Sequence, residues 1–254
     1  MDLNNRLANK VAIVTGGNIG IGRATSLRLA AEGADVVIGA RGFEDCQKVA
    51  AEVEAMGRKA LPIKIDVSIM ADAQRMMKET LNKFGKIDIL CNIAGGPAPE
   101  EVPFYHKKEE VWNRVIAVNL IGQFNCVRSV INHMIERRYG KILNMASASG
   151  LLGLVNMTDY AAAKGGVIAF TMSLAKEVAE FNINVNAVSP GTTMTRGLEM
   201  FPDRWDEFNR LSGMGRVGKP EEIAALIAYL VSDEAGYVTG QNYPICGLWN
   251  LGRV

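Results

Sequence analysis

The chain has 254 residues, 48% of them hydrophobic and 22% charged, which suffices to bury a large core and excludes a disordered tail or a fibre. Its 28 basic and 27 acidic side chains leave a formal charge of +1, so there is no electrostatic footprint for nucleic acid or an anionic bilayer. Four scattered cysteines without CxxC spacing, only two histidines, the polar start MDLNNRLANK and no apolar run of membrane-spanning length argue against a metal cluster, a disulfide framework, a signal peptide or a membrane span; the expectation is a cytoplasmic protein with reduced thiols.

The elements then follow in chain order. The apolar run VAIVT (11–15) leads into a glycine-rich turn and the helical ATSLRLAAEG, which stops at Gly33. The cycle repeats with DVVIGA, the helix CQKVAAEVEAMG, the run ALPIKIDV, the helix ADAQRMMKETLNKFG and the strand IDILCNIAG. A long helical stretch from about Glu109 to Arg138 precedes KILNMAS, a helix carrying Tyr160 and Lys164, and the strand INVNAVSPG. Strands alternating with helices imply a parallel sheet covered on both faces, so the expected fold is one doubly wound α/β (Rossmann) domain over residues 1–254. Residues 192–216, TTMTRGLEMFPDRWDEFNRLSGMGR, mix Met, Phe and Trp with charges before a helix begun by Pro220. They read as a substrate lid or as a helical hairpin packed on the domain.

The first turn, TGGNIGIG, puts Gly16, Gly20 and Gly22 between the first strand and the first helix. A backbone without side chains there lets a diphosphate approach the helix N-terminus, where unbonded N–H groups and the dipole favour anions. At the end of the second strand, where an acid would bond a ribose 2′-hydroxyl, VVIGARG has no carboxylate and offers Arg41, a planar cation suited to a 2′-phosphate. NADP(H) is the expected cofactor, with NAD(H) as the alternative.

In TDYAAAKGG, Tyr160 and Lys164 stand four residues apart, on one helix face with only alanines between, a spacing that by itself reads as an amphipathic surface helix and, where hydride chemistry is at work, as an acid/base pair. Taking a hydride from an alcohol carbon gives a carbonyl only if the hydroxyl proton also leaves, so a base must lie within hydrogen-bond reach. A free phenol has a pKa of about 10, and bringing it near 7 needs roughly 4 kcal/mol of preference for phenolate. A neighbouring ammonium and a cationic nicotinamide both act in that sense.

TGGNIGIG, the CNIAG segment and Ser147 with Tyr160 and Lys164 together resemble the classical short-chain dehydrogenase/reductase family over essentially the whole chain, with 13 positions from Ser147 to Tyr160 and four to Lys164. The resemblance implies an NAD(P)-dependent oxidoreductase that interconverts a secondary alcohol and a ketone. In it Tyr160 is the acid/base, Ser147 holds the substrate oxygen, Lys164 bonds the nicotinamide ribose and Asn119 steadies a relay water. It further implies that Gly16, Ile19, Gly20 and Ile21 line the diphosphate and that Asp66 and Val67 meet the adenine. Asn92, Ala94 and Gly95 would lie beneath the cofactor, and Pro190, Gly191, Thr193 and Thr195 would clasp the nicotinamide. The bland counterparts are a turn cap for Ser147 and an Asx turn for Asp66. A homotetramer and a small-molecule partner are implied too.

Three departures stand out. Ile93 replaces the second asparagine of the usual pair, Ile19 stands where many NADP-preferring relatives carry a cation, and Ile245-Cys246-Gly247-Leu248 replaces Ile-Asp-Gly-Gly near the C-terminus. Members that reduce 3-oxoacyl groups on an acyl carrier protein present cations before the fifth strand and at the end of the catalytic helix. Arg138 fits the first place, but Glu180-Phe181 occupies the second. A free alcohol or ketone is therefore the leading substrate class, a 3-oxoacyl thioester the alternative, and a non-catalytic NADP(H) sensor the remote one.

Overall fold

The computed structural model describes residues 5–97, 101–195, 198 and 202–248. Seven strands form one sheet in the order β3-β2-β1-β4-β5-β6-β7, and every pairing is parallel. They are β1 (Val11–Thr15), β2 (Asp35–Ala40), β3 (Ala60–Lys64), β4 (Ile89–Asn92), β5 (Gly140–Met145), β6 (Ile183–Pro190) and β7 (Asn242–Ile245).

Alternating side chains of each inner strand enter two separate cores. Ala12 and Val14 face the layer of helices α1 (Gly20–Ala31) and α2 (Phe43–Ala55) together with Pro220–Leu230, whereas Ile13 faces α3 (Met70–Phe84) and the helices Gly122–Arg137 and Thr158–Val178. Burial on both faces explains why the strands read as continuous apolar runs. We number the remaining helices α4 (Glu109–Ile116), α5 (Gly122–Arg137), α6 (Ser149–Leu152), α7 (Thr158–Val178), α8 (Trp205–Arg210) and α9 (Pro220–Leu230).

Two features differ from the sequence expectation. The stretch 109–138 is not one helix: a π-helical turn, Ala117–Ile121, separates α4 from α5 and carries Asn119. Such turns are rare and cluster at functional sites. The seventh strand, NYPI, extends the sheet beyond β6, with Pro190 opposite Ile245. Its proline is tolerated because β7 is an edge strand.

Strand order reverses between β1 and β4, and their paired ends, Thr15 and Asn92, open a crevice at the carboxyl edge of the sheet. The loops that follow β1, β4, β5 and β6 carry part of the candidate set; Arg41 follows β2, Asp66 and Val67 follow β3, Asn119 lies in the π turn, and Tyr160 and Lys164 lie on the helix Thr158–Val178.

Candidate active site

The loop after β1 is shaped by close approach. Gly16 has φ +67°, and a Cβ on it would lie 2.8 Å from the Ala94 Cα; a Cβ on Gly22 would overlap the Gly16 carbonyl. Turn, first helix and β4 loop are thus pressed together where only glycine fits. Helix α1 begins after Ile19 with no side-chain cap and no acid in its first turn, leaving its N–H groups directed at the crevice for an anion. Thr195 approaches Gly20 from the loop after β6, so two ends of the expected cofactor track meet.

Arg41 is exposed and lines a cleft of about 430 Å³ with Lys64, Ile65, Asp66, Asp72 and Arg75. Asp66 forms the Asx turn: its carboxylate accepts from the Ser68 N–H (3.0 Å) and hydroxyl (2.6 Å), and from Arg114 (2.7 Å). Burial pushes this carboxyl up, but the hydrogen bonds from Arg114 and Ser68 outweigh it and hold it at about 2. Val67 is buried beside Gly122, and its carbonyl accepts from the Asn125 amide at 2.9 Å.

At the end of β4, Asn92 donates to the Asn144 amide oxygen (3.0 Å), Asn144 donates to the Thr171 hydroxyl (3.0 Å), and a buried polar thread thereby ties β4 and β5 to α7. The Asn92 Oδ1 is buried without a partner among the described residues. Ile93, the departure from the usual asparagine pair, packs into the apolar core. Gly95 (φ +151°) and Gly96 lie on the Asn119 amide, whose Oδ1 accepts from the Gly96 N–H (3.0 Å) while Nδ2 donates to the carbonyls of Gly96 (2.9 Å) and Val115 (3.0 Å). A Cβ on Gly95 would collide with Asn119 and come within 3.5 Å of the Lys164 amine.

Ser147 lies just past the paired end of β5, where Ala146 and Ala148 donate to the carbonyls of Val188 and Pro190. Its hydroxyl accepts from the Ser149 N–H (3.2 Å) and hydroxyl (2.8 Å), so it caps the turn, and it lies near enough to the Tyr160 phenol to favour the ionised form. Helix α7 sets the Lys164 Nζ 5.5 Å from the Tyr160 ring centre. That amine is 1% exposed and donates to the Met145 carbonyl at 2.8 Å.

The sequence leads one to expect a phenol drawn toward neutrality by an adjacent ammonium. In the protein by itself, burial pushes the Tyr160 phenol up to about 12, against the influence of Ser147, and pushes the Lys164 amine down to about 7. The same desolvation that raises the phenol also disfavours charge on its intended partner, and positive charge brought nearby acts against both effects on the phenol.

After β6, a Cβ on Gly191 would lie 2.9 Å from the Cys246 Cβ, and Thr193 bridges to Gly218 while donating to the Gly191 carbonyl (3.1 Å). The Gly247 carbonyl accepts from the Ser212 hydroxyl (2.9 Å) and the Met214 N–H (3.2 Å), so the atypical C-terminal segment is a packing surface for the end of the 192–216 stretch. Arg204, just before α8, reaches Glu101 in the loop after β4 at 3.4 Å across the crevice mouth. Of the large apolar residues in 192–216, Met194, Leu198 and Trp205 are described, while Met200 and Phe201 lie outside the described residues.

Two contributors are missed by motif reasoning. Gln123, one turn after Asn119, donates to the same Met145 carbonyl (3.0 Å) that Lys164 uses, a position detectable from its i+4 spacing. Lys107 forms a fully buried ion pair with Asp159, the residue before Tyr160.

Fold and crevice define a doubly wound α/β protein with a Tyr–Lys pair on the helix that follows β5. The family model for short chain dehydrogenase matches residues 10–204. The 3-oxoacyl-(acyl-carrier-protein) reductase of Thermotoga maritima is 41% identical over 244 residues, covering 95% of this chain and 98% of that protein. The cyclohexanol dehydrogenase of Acinetobacter sp. (strain SE19) is 36% identical over 251 residues, covering 97% of each. The crystal structure of levodione reductase superposes with a TM-score of 0.91 at 33% identity, covering 95% of this chain and 97% of that one. The chain belongs to the short-chain dehydrogenase/reductase family and is an oxidoreductase acting on CH–OH or carbonyl groups.

Proposed function

We propose that the chain interconverts a free secondary alcohol and its ketone with NADP(H), NAD(H) being the alternative cofactor. What carries the reading is the constellation of Ser147 beside the Tyr160 phenol with the Lys164 amine 5.5 Å from that ring. When bound, the nicotinamide supplies or accepts the hydride and, oxidised, brings a positive charge. The residues fit such a group: positive-φ glycines, an uncapped helix N-terminus without acids, and the unpartnered Asn92 Oδ1. Gly16, Ile19, Gly20 and Ile21 hold the diphosphate, Arg41 the 2′-phosphate, and Asp66 and Val67 the adenine. Asn92, Ala94 and Gly95 support the ribose, and Pro190, Gly191, Thr193 and Thr195 the nicotinamide amide. In reduction Tyr160 gives its proton to the carbonyl oxygen while Ser147 donates a hydrogen bond to it; in oxidation Tyr160 takes that proton back. Lys164 bonds the ribose and favours phenolate, and Asn119 steadies a water beside Lys164.

Arg138, the one cation matching carrier-protein docking, donates to the Glu180 carbonyl at 2.6 Å and lies over the Phe181 ring, beside an acid. That favours a substrate not borne on an acidic carrier. The second reading, a 3-oxoacyl thioester reductase, is favoured by the 3-oxoacyl-(acyl-carrier-protein) reductase activity of the Thermotoga maritima relative. A panel of free cyclic and linear ketones, 3-oxoacyl-CoA and 3-oxoacyl carrier protein, each with NADPH and NADH, separates them. Free ketones are expected to give the higher kcat/KM, and Tyr160→Phe to lower it by about 10²–10⁴-fold with dinucleotide binding kept. A tenfold preference for the carrier thioester would select the second reading, and retained turnover in Tyr160→Phe would remove the acid/base assignment.

A further inference from the structure

The ion pair between Lys107 and Asp159 is the most deeply buried in the protein among the described residues, with side-chain exposures of 1% and 2% and an N–O distance of 2.6 Å. Its members come from different elements. Asp159 lies in the first turn of α7, directly before Tyr160; Lys107 closes the segment that follows β4, after the 3₁₀ turn Phe104–His106 and two residues ahead of α4. The Lys107 amine also donates to the carbonyl of Asn156 (3.1 Å), a non-glycine residue held at φ +65° just before α7. The second Asp159 oxygen, Oδ2, is buried with no partner among the described residues.

A buried pair of this kind is a poor source of stability, because desolvation of both ions offsets their attraction. Its placing is better explained by what lies beside it. We propose that the Lys107–Asp159 pair is a positioning and charge-balancing device for Tyr160, fixing the first turn of α7 to the loop after β4 and keeping the net charge next to the phenol at zero. This rests on the reading of Tyr160 as the proton carrier. Lys164 is the other charged group facing the phenol from α7 itself. Of the remaining charges on elements packed against α7, His106, Lys108, Glu109, Glu110 and Arg114 are exposed to solvent, and Lys141 and Glu180 lie at the opposite end of the sheet and helix. The π turn, α6 and β6 bring no charge to it. Lys107 and Asp159 are thus the desolvated charges fixed to the turn of α7 that carries Tyr160.

The signs separate this role from simple packing. Lys107→Met leaves a carboxylate without its cation and disfavours phenolate, so the Tyr160 pKa rises; Asp159→Asn leaves an ammonium without its anion, so it falls. The measurement is a pH titration of the Tyr160 Cζ resonance in protein labelled with ¹³C-tyrosine, saturated with NADP⁺ and assigned through Tyr160→Phe. Opposite displacements of roughly half a unit or more are expected in the two single variants, with a return to the parent value in Lys107→Met/Asp159→Asn. Displacements of the same sign, or none, would overturn the proposal, since damage to packing has no reason to reverse sign. Should a single variant fail to fold, the double variant, in which neither charge is stranded, still decides: a midpoint away from that of the parent rules charge balance out. The titration needs no turnover, so it stands apart from the Tyr160→Phe rate measurement. Loss of activity in Tyr160→Phe together with unmoved titrations would sink the pair alone.

Discussion

Lys164 shows how the site trades stability for chemistry. Among the described residues its amine has one hydrogen-bond acceptor, the Met145 carbonyl, and burial pushes it down to about 7. A lowered folded pKa means that between about 7 and the ordinary lysine value near 10.4 the unfolded chain binds the extra proton, so stability rises with pH across that window. Below about 7 the buried ammonium costs its full desolvation. Lys164→Met should therefore abolish turnover, raise stability at pH 7 by about 1–3 kcal/mol, and flatten the gain the parent shows from pH 7 to 9. Urea unfolding at both pH values checks it; a variant less stable than the parent at pH 7 would mean that the amine is held by more than the Met145 carbonyl. The spacing of Ser147, Tyr160 and Lys164 is legible in the sequence because two of the three share one helix face. The balance of their pKa values is not, because burial is a property of the assembled crevice. Lys107 and Asp159 are 52 residues apart and each reads as a surface charge, so nothing local announces their pairing.

Among elements, β1, β2, β4, β5 and β6 are legible since a strand covered on both faces leaves an uninterrupted apolar run, and glycine marks where a helix gives way. The π turn is hidden because one extra residue per turn hardly disturbs the apolar pattern of the stretch around it. NYPI is hidden for another reason: it is short, half exposed and contains proline. The junction of β1 with α1 is the element contact on which cofactor binding depends most directly. A Cβ on Gly22 would overlap the Gly16 carbonyl and sit 2.6 Å from its carbon, and Gly16 itself is wedged against Ala94. Gly22→Ala must lift α1 from the loop, which moves the helix N-terminus away from the diphosphate. We expect a loss of about 1–3 kcal/mol in stability and at least tenfold weaker NADPH binding by fluorescence titration, with Tyr160 geometry untouched. Unchanged affinity would place the diphosphate elsewhere.

At the scale of the whole molecule, one helix layer is richer in apolar surface than the sheet requires. On α5, Cys126, Val130 and Met134 point into the core, while Phe124, Val127, Arg128, Ile131 and Ile135 line a groove of about 530 Å³ shared with Phe170 and Leu174 of α7. The Phe124 and Phe170 rings meet across it at a tilt of 49° with centroids 4.4 Å apart, and Met172 beyond them is exposed. A helix apolar on two faces has two partners, and the sequence alone cannot say which face the sheet takes; once the sheet takes one, the other is a surface for association. The homotetramer implied by the family resemblance would be joined there through α5 and α7 of neighbouring copies. Phe124→Glu puts a charge at the centre of that face without disturbing the sheet side, where desolvation of an unpaired carboxylate costs several kcal/mol and, at about 1.4 kcal/mol per tenfold, weakens association by a hundredfold or more. Sedimentation at micromolar concentration should give a tetramer for the parent and a smaller species for Phe124→Glu, with the helical circular dichroism spectrum unchanged. A parent that sediments as a monomer would refute the assembly outright, and a tetrameric variant would move the interface off this face.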